Sequence, residues 1–221
     1  MAQESIAIHI GPRQNRKKAI VIYGVGEQHH PKEVGDILIT LLKEQHFEVQ
    51  SSNTLESLLN AANLKQLDLI VLVWTRGNIT QQQLDNLLNA IKAGTGFVGI
   101  HASVGAFRSE IKYHELIGGQ FLAHPGGINV TYQVYITDKQ HPVMKSIQDF
   151  TVTTEKYYML IDPAIHIVAA TYFGEVTMPV VWTKSYGKGR VFYNALGHSV
   201  DVVTMPQVLD ILRRGMVWAA N

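Results

Sequence analysis

The chain has no cysteine in 221 residues. That absence excludes a disulfide framework, thiolate zinc sites, iron–sulfur clusters and any thiol nucleophile. A metal would have to be held by His, Asp or Glu. Charge of one sign is also lacking. The 19 basic and 18 acidic residues leave a formal net charge of +1, too balanced for the footprint of a nucleic-acid-binding protein. The one basic cluster, Arg13, Arg16, Lys17 and Lys18, reads as a solvated lead-in to the first strand. No apolar run approaches the ~18 residues of a membrane span. Ile6 to Ile10 is too short and too interrupted for a signal peptide. The expectation is a soluble cytoplasmic protein with no nucleic-acid and no membrane partner. Histidine is plentiful instead, with ten copies, and the apolar share of 46% supports a proper core at this length.

Ala19 to Val25 is a nearly continuous apolar run, as in a strand covered on both faces. Pro31 then opens a helix whose apolar face is Val34, Ile37, Leu38, Leu41 and Leu42. Phe47 to Gln50 reads as a second strand and Leu67 to Trp74 as the most buried one. Thr80 with Gln83 forms a capping-box signature ahead of Leu84, Leu87, Leu88 and Ile91. Gly94 closes that helix, and Gly96 to Ile100 is the next strand. This alternation predicts an α/β protein with a parallel sheet and right-handed crossovers. The second half changes character. Val130, Tyr132, Val134 and Ile136 alternate with polar residues, and 165–172, 180–183 and 190–195 read as strands. Tyr186 to Gly189 is a hairpin turn. A last helix starts around Thr204, Pro206 and Gln207. One domain, 19–221, is expected behind an N-terminal arm, 1–18. The alternating strand and the N-terminal apolar segment each suggest an edge in need of cover, and with it a homo-oligomer.

Ligands of open parallel sheets bind beyond the carboxyl ends of the strands. Those ends carry His29 and His30, then Thr75 and Arg76, then His101 and Ser103, then His198. At least two of His30, His101 and His198 are expected to share a pocket. Gly99-Ile-His101-Ala-Ser103 has the layout of a nucleophile elbow, with histidine at the presented position. An imidazole there can be a base, an electrophile or a metal ligand. The plainer readings are that His101 caps the next helix, that Ser103 is a helix cap, and that His198 is an ordinary loop histidine. Glu155 and Tyr157 are candidates for an acid partner and a substrate contact, with a surface charge as the bland reading of Glu155. His124-Pro125 and His141-Pro142 read first as turns, although His124 is kept as a substrate contact. His9, His46, His114 and His166 read as surface or packing residues. Gly24-Val-Gly26 lacks the spacing of a phosphate loop.

Several of these segments, in this order, carry a family likeness. They are Gly96-Phe-Val-Gly-Ile-His101-Ala, Gly118-Gly-Gln-Phe121 with His124-Pro125, Asp138 with His141-Pro142, and Glu155-Lys-Tyr157. Pro179-Val-Val-Trp182, Tyr186 to Tyr193, Leu196-Gly-His198 and Trp218-Ala219 complete the series. Together they resemble the ThuA-like, or trehalose-utilisation, family of the class I glutamine amidotransferase-like superfamily, over roughly Lys18 to Asn221.

The resemblance implies a flavodoxin-like three-layer α/β sandwich and a link to disaccharide or keto-sugar utilisation. By position His101 takes the place of the superfamily's elbow cysteine and His198 that of its triad histidine. The acid expected two residues later is Val200, with Asp201 the nearest carboxylate, so glutaminase chemistry is not expected. Two main readings follow, beside a third in which the chain is a structural subunit whose cleft a partner covers. In the first, an isomerase- or hydrolase-like enzyme uses His101, His198 and Glu155 as catalytic residues, with His29, His30, Arg76, His124 and Tyr157 binding a carbohydrate. A variant of it has His30, His101 and His198 holding Zn²⁺. In the second, the scaffold is a non-catalytic sugar-binding or regulatory protein.

Overall fold

The computed structural model of the protein describes residues 16–220. The segment Ile6–Ile10, His9 and Arg13 lie outside the described residues, as does most of the expected arm. In chain order the elements are β1 (Lys18–Gly24), α1 (Pro31–Glu44), β2 (Glu48–Ser52), α2 (Ala61–Leu64), β3 (Leu69–Trp74), α3 (Gln81–Ala93) and β4 (Gly96–Ile100). They continue with α4 (Ile111–Ile117), β5 (Gly119–Ala123), β6 (Val130–Ile136), β7 (Phe150–Thr154) and β8 (Tyr158–Ile161). The last are β9 (His166–Phe173), β10 (Val176–Tyr186), β11 (Gly189–Asn194), α5 (Val200–Val203) and α6 (Pro206–Ala219).

The main sheet has nine strands in the order β2-β1-β3-β4-β11-β10-β9-β6-β7. Its first five strands pair in parallel, in the flavodoxin-like order. The rest pair antiparallel. α1 and α6 pack together on one face, and α3 with α4 on the other, giving three layers. β3 is buried at every residue, as a strand with helices on both faces must be. The expected capping box forms: Thr80 N–H donates to Gln83 Oε1 at 3.0 Å, and Gln83 N–H to Thr80 Oγ1 at 3.3 Å.

The antiparallel half departs from the sequence reading in a way that matters for the site. β6 is not an edge, because β7 pairs it on one side and β9 on the other. The oligomer expectation therefore loses that support. β5 and β8 leave the main sheet and form a separate two-stranded ribbon. The connection 155–157 runs from β7 in the main sheet to β8 in the ribbon, carrying Glu155 and Tyr157 between the two.

Close approach of α6 to the sheet depends on glycine at the start of β4. A Cβ at Gly96 would lie 2.1 Å from the Ala219 carbonyl oxygen, a backbone atom that cannot rotate aside. Gly96→Ala should therefore lift the end of α6 at a cost of ~1–3 kcal/mol, read as a fall in melting temperature of about 2–4 °C per kcal/mol. An unchanged melting temperature would contradict this packing.

Candidate active site

The carboxyl ends of β1, β3 and β4 open into one cleft of about 530 Å³, lined among others by His29, Arg76, Phe121, His124, Glu155 and Tyr157. Its floor is built from backbone in an unfavourable conformation. His101, the first residue after β4, has φ +47°, the sharp turn expected of an elbow. Val25, His30, Arg76 and Phe107 are also non-glycine residues with φ between +47° and +61°. All sit in the segments after β1, β3 and β4. Each such residue costs ~1–2 kcal/mol, and strain of this kind gathers where function requires a side chain at a fixed place.

His101 is 3% exposed and bound at both nitrogens. Nδ1 lies 2.8 Å from the Ala195 carbonyl, which only accepts, so Nδ1 carries the hydrogen. Nε2 then presents its lone pair to the Tyr157 hydroxyl at 2.8 Å and to Glu155 Oε2 at 3.1 Å. Tyr193 donates to the His101 carbonyl at 2.7 Å, fixing the turn itself. Gly197 permits the approach of the β11 loop: a Cβ there would lie 3.2 Å from His101 Cβ.

His198 Nδ1 faces the same carboxylate oxygen, Glu155 Oε2, at 3.3 Å. The angle is not that of a hydrogen bond, and this buried nitrogen has no hydrogen-bond partner among the described residues. His29 enters through a short 3₁₀ turn, Glu27–His29, after left-handed Gly26. Its Nδ1 lies 3.0 Å from Thr75 Oγ1, which leaves Nε2 free. The His29 ring centroid is 5.0 Å from that of His101 and 5.1 Å from that of His198. His124 stands at the rim, 3.7 Å from Glu155 Oε1, and Phe121 meets the Tyr157 ring edge-on at 4.7 Å.

Burial alone would raise the pKa of Glu155. Either imidazole, His101 or His198, outweighs it when it carries a proton, and holds the carboxyl well below the usual carboxylate range. Burial, reinforced by the neighbouring His101 and His198, pushes His29 down to about 4. Burial holds the Tyr157 phenol well above its ordinary value, so it stays protonated.

The structure brings together His29, His101, His198, Glu155, Tyr157, Arg76 and His124. His30 does not join them. It is exposed and stands at the N-terminal cap of α1, so the sequence-derived set of His30, His101 and His198 is corrected to His29, His101, His198 and Glu155. One ligand atom from each of these four lies within 4.8 Å of all the others. Ser103 caps no helix; it is buried in the 3₁₀ segment His101–Gly105 with its hydroxyl unpartnered. His101 caps none either, since α4 begins ten residues on, at Ile111. The acid facing His198 is Glu155, and Asp201 lies exposed in α5. Thr75 was visible only as a strand-end residue, while Phe121 and Arg108 gave no sequence signal as cleft residues.

The family model for ThuA, described as trehalose utilisation, matches residues 18–219. The chain belongs to the ThuA family. Its fold is similar to that of a ThuA-like protein of Parabacteroides merdae ATCC 43184, with a TM-score of 0.78 and 20% identity over 94% of this chain and 91% of that one. A ThuA-like protein of Bacteroides uniformis ATCC 8492 superposes with a TM-score of 0.77 at 17% identity, over 96% and 95% of the two chains. A cytoplasmic protein of Salmonella typhimurium LT2 gives a TM-score of 0.64 at 14% identity, over 92% and 97%. No curated protein matches the chain. No helix among the described residues is long and apolar enough to cross a membrane.

His29 sets a pH dependence for this ThuA-family protein. Unfolded, its imidazole takes up a proton near 6.5, but folded only near 4. Between those values the unfolded state binds more protons, so stability falls as pH falls. Glu155, held low in the fold, adds a loss of the same sign at lower pH. Thermal unfolding of chelator-treated protein should show a melting temperature that drops from pH 6.5 to 4, with a shallower drop in His29→Asn. Equal slopes in the two proteins would contradict the buried, neutral His29.

Proposed function

We propose that this ThuA-family chain is an enzyme acting on a carbohydrate around a divalent cation held by His29, His101, His198 and Glu155. The observation that carries the reading is the convergence of two imidazole nitrogens, at 3.1 and 3.3 Å, on one ionised carboxylate oxygen. Lone pairs facing a carboxylate need a cation between them. A proton serves one nitrogen, whereas a metal ion serves all four groups. Metal–nitrogen and metal–oxygen bonds of ~2.0–2.1 Å in a tetrahedron place neighbouring donor atoms ~3.3 Å apart, close to the 3.1 and 3.3 Å that separate Glu155 Oε2 from His101 and His198; the whole set lies within 4.8 Å. Three imidazoles and a carboxylate suit a borderline ion such as Zn²⁺ better than Mg²⁺ or Ca²⁺. The surrounding contacts are those that orient metal-binding histidines: the Ala195 carbonyl for His101 and the Thr75 hydroxyl for His29.

Bound there, the ion would polarise a sugar oxygen or lower the pKa of a bound water. The protonated Tyr157 hydroxyl is placed to donate to an oxygen beside His101. His124, 40% exposed, is placed to relay a proton between Glu155 and solvent. Phe121 and Tyr157 offer an apolar wall to the C–H face of a sugar ring, and the family's description, trehalose utilisation, supports a sugar as substrate. The reaction class is isomerisation or hydrolysis. A glutaminase reaction would need the thiol that the elbow lacks.

Elemental analysis of purified protein should find about one equivalent of transition metal per chain, largely lost in Glu155→Gln and His198→Ala. Turnover of a panel of disaccharides and their keto forms should fall on chelation and return with Zn²⁺. Turnover insensitive to chelators in metal-free protein would favour His101 as a general base instead. Sugar binding without turnover or metal would favour the non-catalytic reading.

A further inference from the structure

The cleft holds two positive charges that the metal cluster leaves unused. Arg76 and Arg108 both line it and both are exposed. Neither guanidinium has a hydrogen bond or ion pair with any described residue. Arg190, Arg213 and Arg214, by contrast, are tied to Trp218 or to Asp210. Arg76 is moreover held in the left-handed region at φ +61° and followed by Gly77 at φ +74°. A flexible surface arginine has no need of that backbone cost.

The charge balance of the cleft is one-sided. The carboxylate lining it is that of Glu155, already engaged by His101 and His198. Two guanidiniums remain without counter-charge in an otherwise near-neutral chain. A cleft with excess positive charge raises the local concentration of anions. Guanidinium forks bind carboxylate or phosphate oxygens in pairs.

We propose that the substrate is an anionic sugar, carrying a carboxylate or a phosphate that Arg76 and Arg108 hold while its ring lies over Phe121 and Tyr157. This rests on the cation-centred reading above and names the substrate class of that site. The cleft volume of about 530 Å³ is within the range of small-molecule sites. A neutral disaccharide would hydrogen-bond these groups but leave both charges uncompensated.

Isothermal titration of zinc-loaded protein separates the cases, with glucose, trehalose, glucuronate and glucose 6-phosphate as probes. At least one anionic sugar should bind about tenfold or more tightly than both neutral ones, with affinity falling as salt is added. Glucuronate or glucose 6-phosphate, whichever binds better, identifies the acidic group as carboxylate or phosphate. Arg76→Ala combined with Arg108→Ala should abolish the preference while zinc stoichiometry and melting temperature stay unchanged. Neutral sugars binding as tightly as anionic ones, no binding of either anionic sugar, or a preference that survives the double substitution would each overturn the proposal. Loss of the preference in protein that binds no zinc would instead sink the metal reading and leave the arginine assignment standing.

Discussion

The placement of Glu155 between His101 and His198 is the contact on which the site depends. An ionised carboxylate 6% exposed is costly unless cations or donors surround it. The chain supplies them from four separate places: the turn after β1, the elbow after β4, the loop after β11 and the rim at His124. Two of them are anchored independently of the carboxylate, His101 by the Ala195 carbonyl and His29 by Thr75. Removing the carboxylate would leave His198 Nδ1 without the oxygen it faces, while His101 and His29 keep their own anchors. Placing a cation there would join the turn after β1, the elbow after β4, the loop after β11 and the connection that carries Glu155.

Backbone strain tells the same story from a different observable. Among the described residues, seven non-glycine residues have φ in the left-handed region. Five of them flank the cleft; His46 and Ser146 are the exceptions. Within the parallel half, β3 and β4 are regular and buried up to their carboxyl ends, and the departures begin where the side chains of the cleft are presented. A rigid sheet with strained termini is what holds a multi-residue cluster in register.

The parallel half was legible because its signals are local. Continuous apolar runs mark β1 and β3, the Thr80–Gln83 box marks the start of α3, and the elbow spacing around His101 marks the end of β4. His101 and His198 could be named as partners once strand ends were equated with the ligand-binding edge. The choice between His29 and His30 could not be read, since it turns on one left-handed glycine and a single 3₁₀ turn. Glu155 and Tyr157 were visible as candidates but not as neighbours of His101. Their position depends on the chain leaving β7 for the β5–β8 ribbon, and that pairing joins strands far apart in sequence. The same short strands led β6 to be read as an edge, because β7 is only five residues long and carries a weak apolar pattern.

The most direct test of the account is anomalous diffraction at the zinc edge from crystals of protein purified without chelator and supplied with Zn²⁺. The account predicts one strong peak ~2.0–2.2 Å from a nitrogen of each of His29, His101 and His198 and from a Glu155 oxygen. No peak at that position, with His101 and Glu155 joined by an ordinary hydrogen bond, would contradict it.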